Sequence, residues 1–236
     1  MNGNAYSNPY VTAAEAGPVE RSQFIRRTYM HLAGALLAFT ALEAVFLNSA
    51  IAPAMMKLMV GGKFSWLIVL GLFMGVSWLA ESWARSGASM GMQYAGLGIY
   101  VVAQAIIFIP LLYVAAYYSS PDVIPMAAMI TGGLFLGLTG VVVTTRIDFS
   151  FLRGVLVIGG FVALGVIVAS ILFGFNLGIV FSGAMVVFAA AAILYHTSSI
   201  FQNYRTDQYV AASLSLFASV VLLFWYVLRI LLSLRR

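Results

Sequence analysis

LRGVLVIGGFVALGVIVASILF, residues 152–173, carries one charged side chain, Arg153 in its first turn, and is apolar from there to its end. Wound as a helix rising about 1.5 Å per residue, a stretch of this length crosses the roughly 30 Å hydrocarbon core of a bilayer. Six more segments of the same kind surround it, at 29–49, 65–84, 94–117, 125–145, 178–197 and 209–232. The breaks between them are short: APAMMKLMVGGK, ARSGASMGMQ, SSPDVI, RIDFSF, GFN and SSIFQNYRTDQ. The tightest is Gly174–Asn176, whose glycine and asparagine suit a sharp turn. The pattern predicts an all-α integral membrane protein with seven transmembrane helices.

Composition agrees. The chain of 236 residues is 63% hydrophobic and 8% charged, against about 45–50% and about 25% for soluble domains. So few charges cannot cover a water-soluble globule, and a disordered chain is excluded with it. The net charge of +5 is dispersed rather than gathered into a stripe, so no nucleic-acid partner is expected. There are no cysteines, which removes disulfides, thiol nucleophiles and thiolate metal sites.

Residues 1–27 form the one long polar stretch and read as a flexible tail and helix lead-in. Residues 28–236 form the seven-helix domain. The tail is not expected to be a signal peptide, because its apolar run follows the basic cluster and has no small-residue cleavage site before a soluble domain. Basic residues of short loops mark the inner face. Arg21, Arg26, Arg27, Arg85, Arg146, Arg153 and Arg205 fall on the N-terminal side of the membrane, and Lys57 and Lys63 on the other. The N-terminus is therefore expected in the cytoplasm. An odd number of spans then puts Arg235 and Arg236 outside, against the rule: either they are tolerated there or the last segment does not fully cross. The pairs Gly71–Gly75 and Gly133–Gly137, four apart, are expected to let helices approach closely.

Ionisable groups in hydrocarbon cost roughly 2.5–3.5 kcal/mol on insertion scales, so each needs a reason. Glu81 and Arg85 lie four apart at the inner end of their helix, acid before base, which suits an intrahelical pair. Either the pair snorkels toward water, or Arg85 turns inward to a polar cluster. Glu43 sits about two thirds through the first span. It is either a protonated, hydrogen-bonded carboxyl or a cavity-lining, proton-carrying group. His196, in ILYHTSSI, is a solvated interfacial imidazole or a pH-sensitive element. His31 reads as interfacial. Ser215 and Ser219 share a face of the last helix, where serines usually bond backbone or a neighbouring helix. GASMG at 87–91 matches the nucleophile-elbow pattern, but a membrane helix precedes it where that device needs a strand. No enzyme, resident metal or cofactor is expected.

Four blocks resemble the Bax inhibitor-1 (transmembrane Bax inhibitor motif) family. They are FIRRTYMHLAGALLAFTAL at 24–42, TTRIDFSFLRG at 144–154, AAAILYHTSSI at 190–200 and DQYVAASLSLFASVVLLFWYVLRIL at 207–231. The likeness is strongest to its bacterial YccA-type branch, which implies an inner (plasma) membrane location. The resemblance also implies six helices around a central hydrophobic C-terminal one. Some members look like pH-sensitive calcium leak channels, gated by two aspartates and an arginine. Arg85 matches the arginine, but the aspartate positions hold His196 and Ser219. Both carboxylates are missing, and calcium wants anionic oxygen ligands. YccA-type members look instead like substrates and modulators of the membrane AAA protease FtsH, whose partner surface would include the polar tail. Two readings follow. One is a modulator of membrane-protein quality control. The other is a calcium or proton leak pathway in which Arg85, His196, Ser219, Glu81 and Glu43 form an altered gating cluster.

Overall fold

The computed structural model describes residues 11–60, 62–85 and 89–235. Among them are eight helices: α1 (Pro18–Leu47), α2 (Ile51–Val60), α3 (Lys63–Arg85), α4 (Met90–Tyr118), α5 (Val123–Thr145), α6 (Leu152–Phe173), α7 (Gly178–Gln202) and α8 (Tyr209–Leu234). All except α2 are long and apolar enough to cross a membrane. The chain is an all-α, multi-pass membrane protein. The two residues that turn the backbone left-handed between α6 and α7 are Gly174 and Gly178, at φ 74° and φ 60°, where a side chain would be strained.

The first loop differs from the sequence expectation. Residues 51–60 form α2, because alanine, methionine and leucine favour the helix and Pro53 falls in its first turn, where the missing N–H costs nothing. At 10 residues it is too short to span. It packs on α3 and α4 with Ala52 fully buried. Helix α1 starts at Pro18, whose fixed φ suits the first helical position. Its buried residues, Phe24, Thr28, Leu32, Ala35, Phe39 and Glu43, recur at three and four along one face. Residues 1–10 of the expected tail lie outside the described residues. Just after them Thr12 pairs with Arg205, and the Ala13 N–H donates to the Tyr204 carbonyl at 2.8 Å.

Helix α8 is the centre. It is buried on every side through most of its length, as a helix apolar all round must be. Helices α1, α3, α4, α5 and α7 pack directly on it; α6 closes the bundle from outside, against α7 and α3. The expected close approach at Gly71–Gly75 and Gly133–Gly137 is not there. Nothing lies within 4 Å of where a Cβ would stand on any of the four. The tight crossing is between α3 and α4. A Cβ on Gly96 would stand 2.6 Å from the Ala80 carbonyl oxygen and 2.9 Å from the Ala84 nitrogen.

The arginine near the end of α8 is accounted for by its neighbours. Helix α8 runs the full depth of the bundle and delivers Arg235 to the turn between α4 and α5. There its Nη1 donates to Asp122 Oδ1 at 2.6 Å and to Ser120 Oγ. The charge of Arg235 is thus neutralised on site. Hydrogen bonds from Arg235 and Ser120 hold the Asp122 carboxyl down at about 2. Because the folded value lies below the ordinary one, the contact contributes above the usual carboxylate range and is lost as pH falls through about 2. The Asp122 carboxyl carbon, followed by NMR, should therefore titrate near that value. In Arg235→Gln it should return to about 4; an unmoved midpoint would show that the arginine does not hold it.

Candidate functional site

The end of the bundle that carries the α3–α4, α5–α6 and α7–α8 connections holds a cavity of about 660 Å³. Arg85, the last residue of α3, and Arg153, in the first turn of α6, enter it from two sides. Helix α7 contributes Tyr195, His196 and Ser199, and the α7–α8 connection Asn203, Tyr204 and Gln208. The Tyr195 and His196 rings meet edge to face at 5.0 Å.

Hydrogen bonds to helix ends hold this wall in place. The Ser199 carbonyl accepts from the Asn203 and Tyr204 N–H groups at 2.7 and 3.0 Å, closing the C-terminus of α7. The Tyr204 and Ser215 hydroxyls lie 2.9 Å apart, tying the connection to the central helix. Ser198 Oγ accepts from the Phe149 N–H at 3.1 Å and so ties the α5–α6 connection to α7. Arg205 chelates Asp207 at 3.0 and 2.5 Å, and the Thr206 hydroxyl donates to Glu20 Oε1 at 2.8 Å, bringing in the start of α1.

Of the five residues singled out in sequence, the structure brings two together: Arg85 and His196 line the same cavity. Glu81 and Arg85 form no ion pair, and Arg85 lines the cavity with His196 and the start of α6. Glu81 is exposed and does not line the cavity. Ser219 is buried in α8, and its hydroxyl donates to the Ser215 carbonyl at 2.9 Å. Glu43 lies near the other end of the bundle, in a separate cavity. Of the two accounts of Glu43, the hydrogen-bonded carboxyl is not what stands here: among the described residues neither of its oxygens has a partner. GASMG falls partly outside the described residues, at 87–88; Ser89 stands at the N-cap of α4.

Arg153, Tyr204, Asn203 and Gln208 were not foreseen. Arg153 had counted only as a loop charge, and the others come together through a connection that no local pattern encodes. His31 was read as merely interfacial. It donates or accepts at Tyr94 Oη, 3.0 Å away, which in turn lies 3.1 Å from Tyr209 Oη. That chain links α1, α4 and α8, and the Arg27 guanidinium sits 5.6 Å over the Tyr209 ring. The cavity's chemistry is that of two guanidinium groups, amides and hydroxyls, with no carboxylate among its lining residues.

Comparison with known proteins decides the family. The family model described as "Inhibitor of apoptosis-promoting Bax1" matches residues 21–236. The chain belongs to the Bax inhibitor-1 family. Among its relatives, an uncharacterized protein of Pasteurella multocida is 30% identical over 207 residues, 87% of each chain. YccA of Escherichia coli K12, named a modulator of FtsH protease, is 30% identical over 210 residues, 88% of each chain. An uncharacterized protein of Pseudomonas aeruginosa is 39% identical over 110 residues, 46% of this chain and 49% of that one. The match thus spans about half the length of the Pseudomonas relative, whereas it runs nearly end to end in the other two. In this Bax inhibitor-1 family member two of the blocks quoted above contribute to the Arg85–His196 cavity, through Tyr195, His196 and Ser199 on α7 and Ser150 and Arg153 around the start of α6.

Proposed function

We propose that this Bax inhibitor-1 family protein modulates, and is itself degraded by, an FtsH-type membrane AAA protease. The observation that carries the reading is its near full-length similarity to the YccA protein of that name. Seven of its basic residues fall at one end of the bundle, which supports a cytoplasmic place for that end in the inner membrane, where a protease of this kind works. Residues 1–10, polar and rich in asparagine, precede the docked pair Thr12–Ala13 and offer a translocating ATPase a segment to grip. The protein performs no catalysis of its own in this scheme.

The leak reading has in its favour the meeting of Arg85 and His196 in one cavity. Against it, two arginines and no carboxylate make that cavity repel cations. Two measurements separate the readings. Removing residues 2–10 should lengthen the half-life of the protein about threefold or more in cells with FtsH and leave it unchanged in cells without it. Liposomes holding the purified protein should show no calcium or proton flux above empty liposomes from about pH 5 to about pH 8. An unchanged half-life with FtsH present would count against the first reading. A pH-dependent leak abolished by His196→Gln would establish the second.

A further inference from the structure

Glu43 presents the least explained chemistry in the molecule. It is 5% exposed, on the buried face of α1, and four residues from the end of that helix. It lines a cavity of about 440 Å³ between α1, α4, α5 and α8, walled by Phe39, Leu112, Phe135, Val221 and Phe224. One other orphan shares the cavity. Thr131 is 4% exposed, and its hydroxyl has no hydrogen-bond partner among the described residues. Thr40, which also lines it, is already spent on the Leu36 carbonyl at 2.9 Å. Glu43 Oε1 and Oε2 and Thr131 Oγ1 are thus buried polar atoms without a partner among the described residues, on two residues that line one apolar cavity. Buried polar atoms without partners are costly, and each calls for an explanation.

We propose that this cavity binds a primary-amine amphiphile, whose ammonium donates to the Glu43 carboxylate and the Thr131 hydroxyl while its chain lies on the aromatic and aliphatic wall. The donor count selects the headgroup. An ammonium carries three N–H donors, matching the three orphan oxygens, whereas an alcohol brings one and an ester none. Charge selects it as well. A carboxylate and an ammonium neutralise one another, and opposite charges that pair are tolerated in hydrocarbon where either alone is not. A calcium ion does not fit, since it takes six to eight oxygen ligands and the side chains lining the cavity add to these three oxygens only the Thr40 hydroxyl, already bonded to the Leu36 carbonyl. The amine is that of an aminophospholipid headgroup or of a free lipophilic amine; the chemistry at Glu43 is the same. The site is independent of any protease partnership.

The test is saturation binding of radiolabelled dodecylamine to the full chain in phosphatidylcholine nanodiscs, with empty nanodiscs as background. A saturable site is expected. Dodecanol, and dodecyltrimethylammonium with its charge but no N–H, should each compete about tenfold less well than unlabelled dodecylamine. Glu43→Gln, close in shape, should weaken dodecylamine about tenfold, and Thr131→Val by less. Competition on the unaltered protein keeps the test intact should Glu43→Gln fail to fold. Replacing part of the lipid with phosphatidylethanolamine assigns the source: displacement of dodecylamine points to the headgroup, and its absence to a free amine. Equal competition by dodecanol, no saturable binding, or full affinity in a folded Glu43→Gln protein would overturn the proposal.

Discussion

Gly96→Ala should destabilise the protein by about 3 kcal/mol, the upper end of what overpacking costs. The added methyl would stand 2.6 Å from one backbone atom of α3 and 2.9 Å from another. Backbone cannot rotate aside as a long side chain can, so α3 must move away from α4 along its length. Gly71→Ala and Gly133→Ala meet nothing within 4 Å and should stay within about 0.5 kcal/mol of the parent protein. Unfolding titrations of the three variants in mixed micelles, read by tryptophan fluorescence, make the comparison. Equal stabilities would show that the α3–α4 crossing is not as tight as it stands here. The same displacement reaches function, because α3 ends at Arg85, and moving the helix shifts the guanidinium relative to His196.

The second large effect belongs to Phe108. Its ring is 1% exposed, edge-on to Phe39 at 5.1 Å and to Trp225 at 4.7 Å, and stacked on Phe224 at 6.0 Å. It thereby joins α1, α4 and α8 at the middle of the core. Truncation to alanine should cost about 3–5 kcal/mol, since these neighbours are locked by their own packing and cannot collapse into the void. Combined with Trp225→Leu in a double-mutant cycle, it should show a coupling of about 1 kcal/mol. Full additivity would mean that the edge-to-face geometry contributes nothing beyond area.

The fold was legible because a bilayer imposes one length on every segment that crosses it, and hydropathy records that length directly. Helix α2 escaped because a helix of 10 residues leaves no such signature. The close crossing escaped for a different reason. Gly96 has no small residue four positions away, and the pattern is split between helices: Ala80 and Ala84, four apart on α3, are the half that faces it. At the site, Arg85 and His196 come together because Arg85 ends α3 and His196 lies in the last two turns of α7, at the same end of the bundle. Glu43 was grouped with them by residue type. Its place four residues from the far end of α1 separates it from Arg85 by most of the membrane's depth. Ser219 was legible in one respect only, as a serine able to bond the carbonyl four residues back. Arg153, Tyr204 and Gln208 depend on how three connections fold over one another, which no periodicity expresses.

The pairing of Thr12 with Arg205 has a mechanical meaning. Tension applied to the chain ahead of Thr12 is not carried by α1 alone. It loads the bond from Ala13 to the Tyr204 carbonyl, and the Tyr204 hydroxyl passes the load to Ser215 on the central helix. An extracting motor would therefore meet its first resistance at the junction of α7 and α8, the hub on which most of the bundle rests. Yielding there would unfasten the core before any peripheral helix left the membrane.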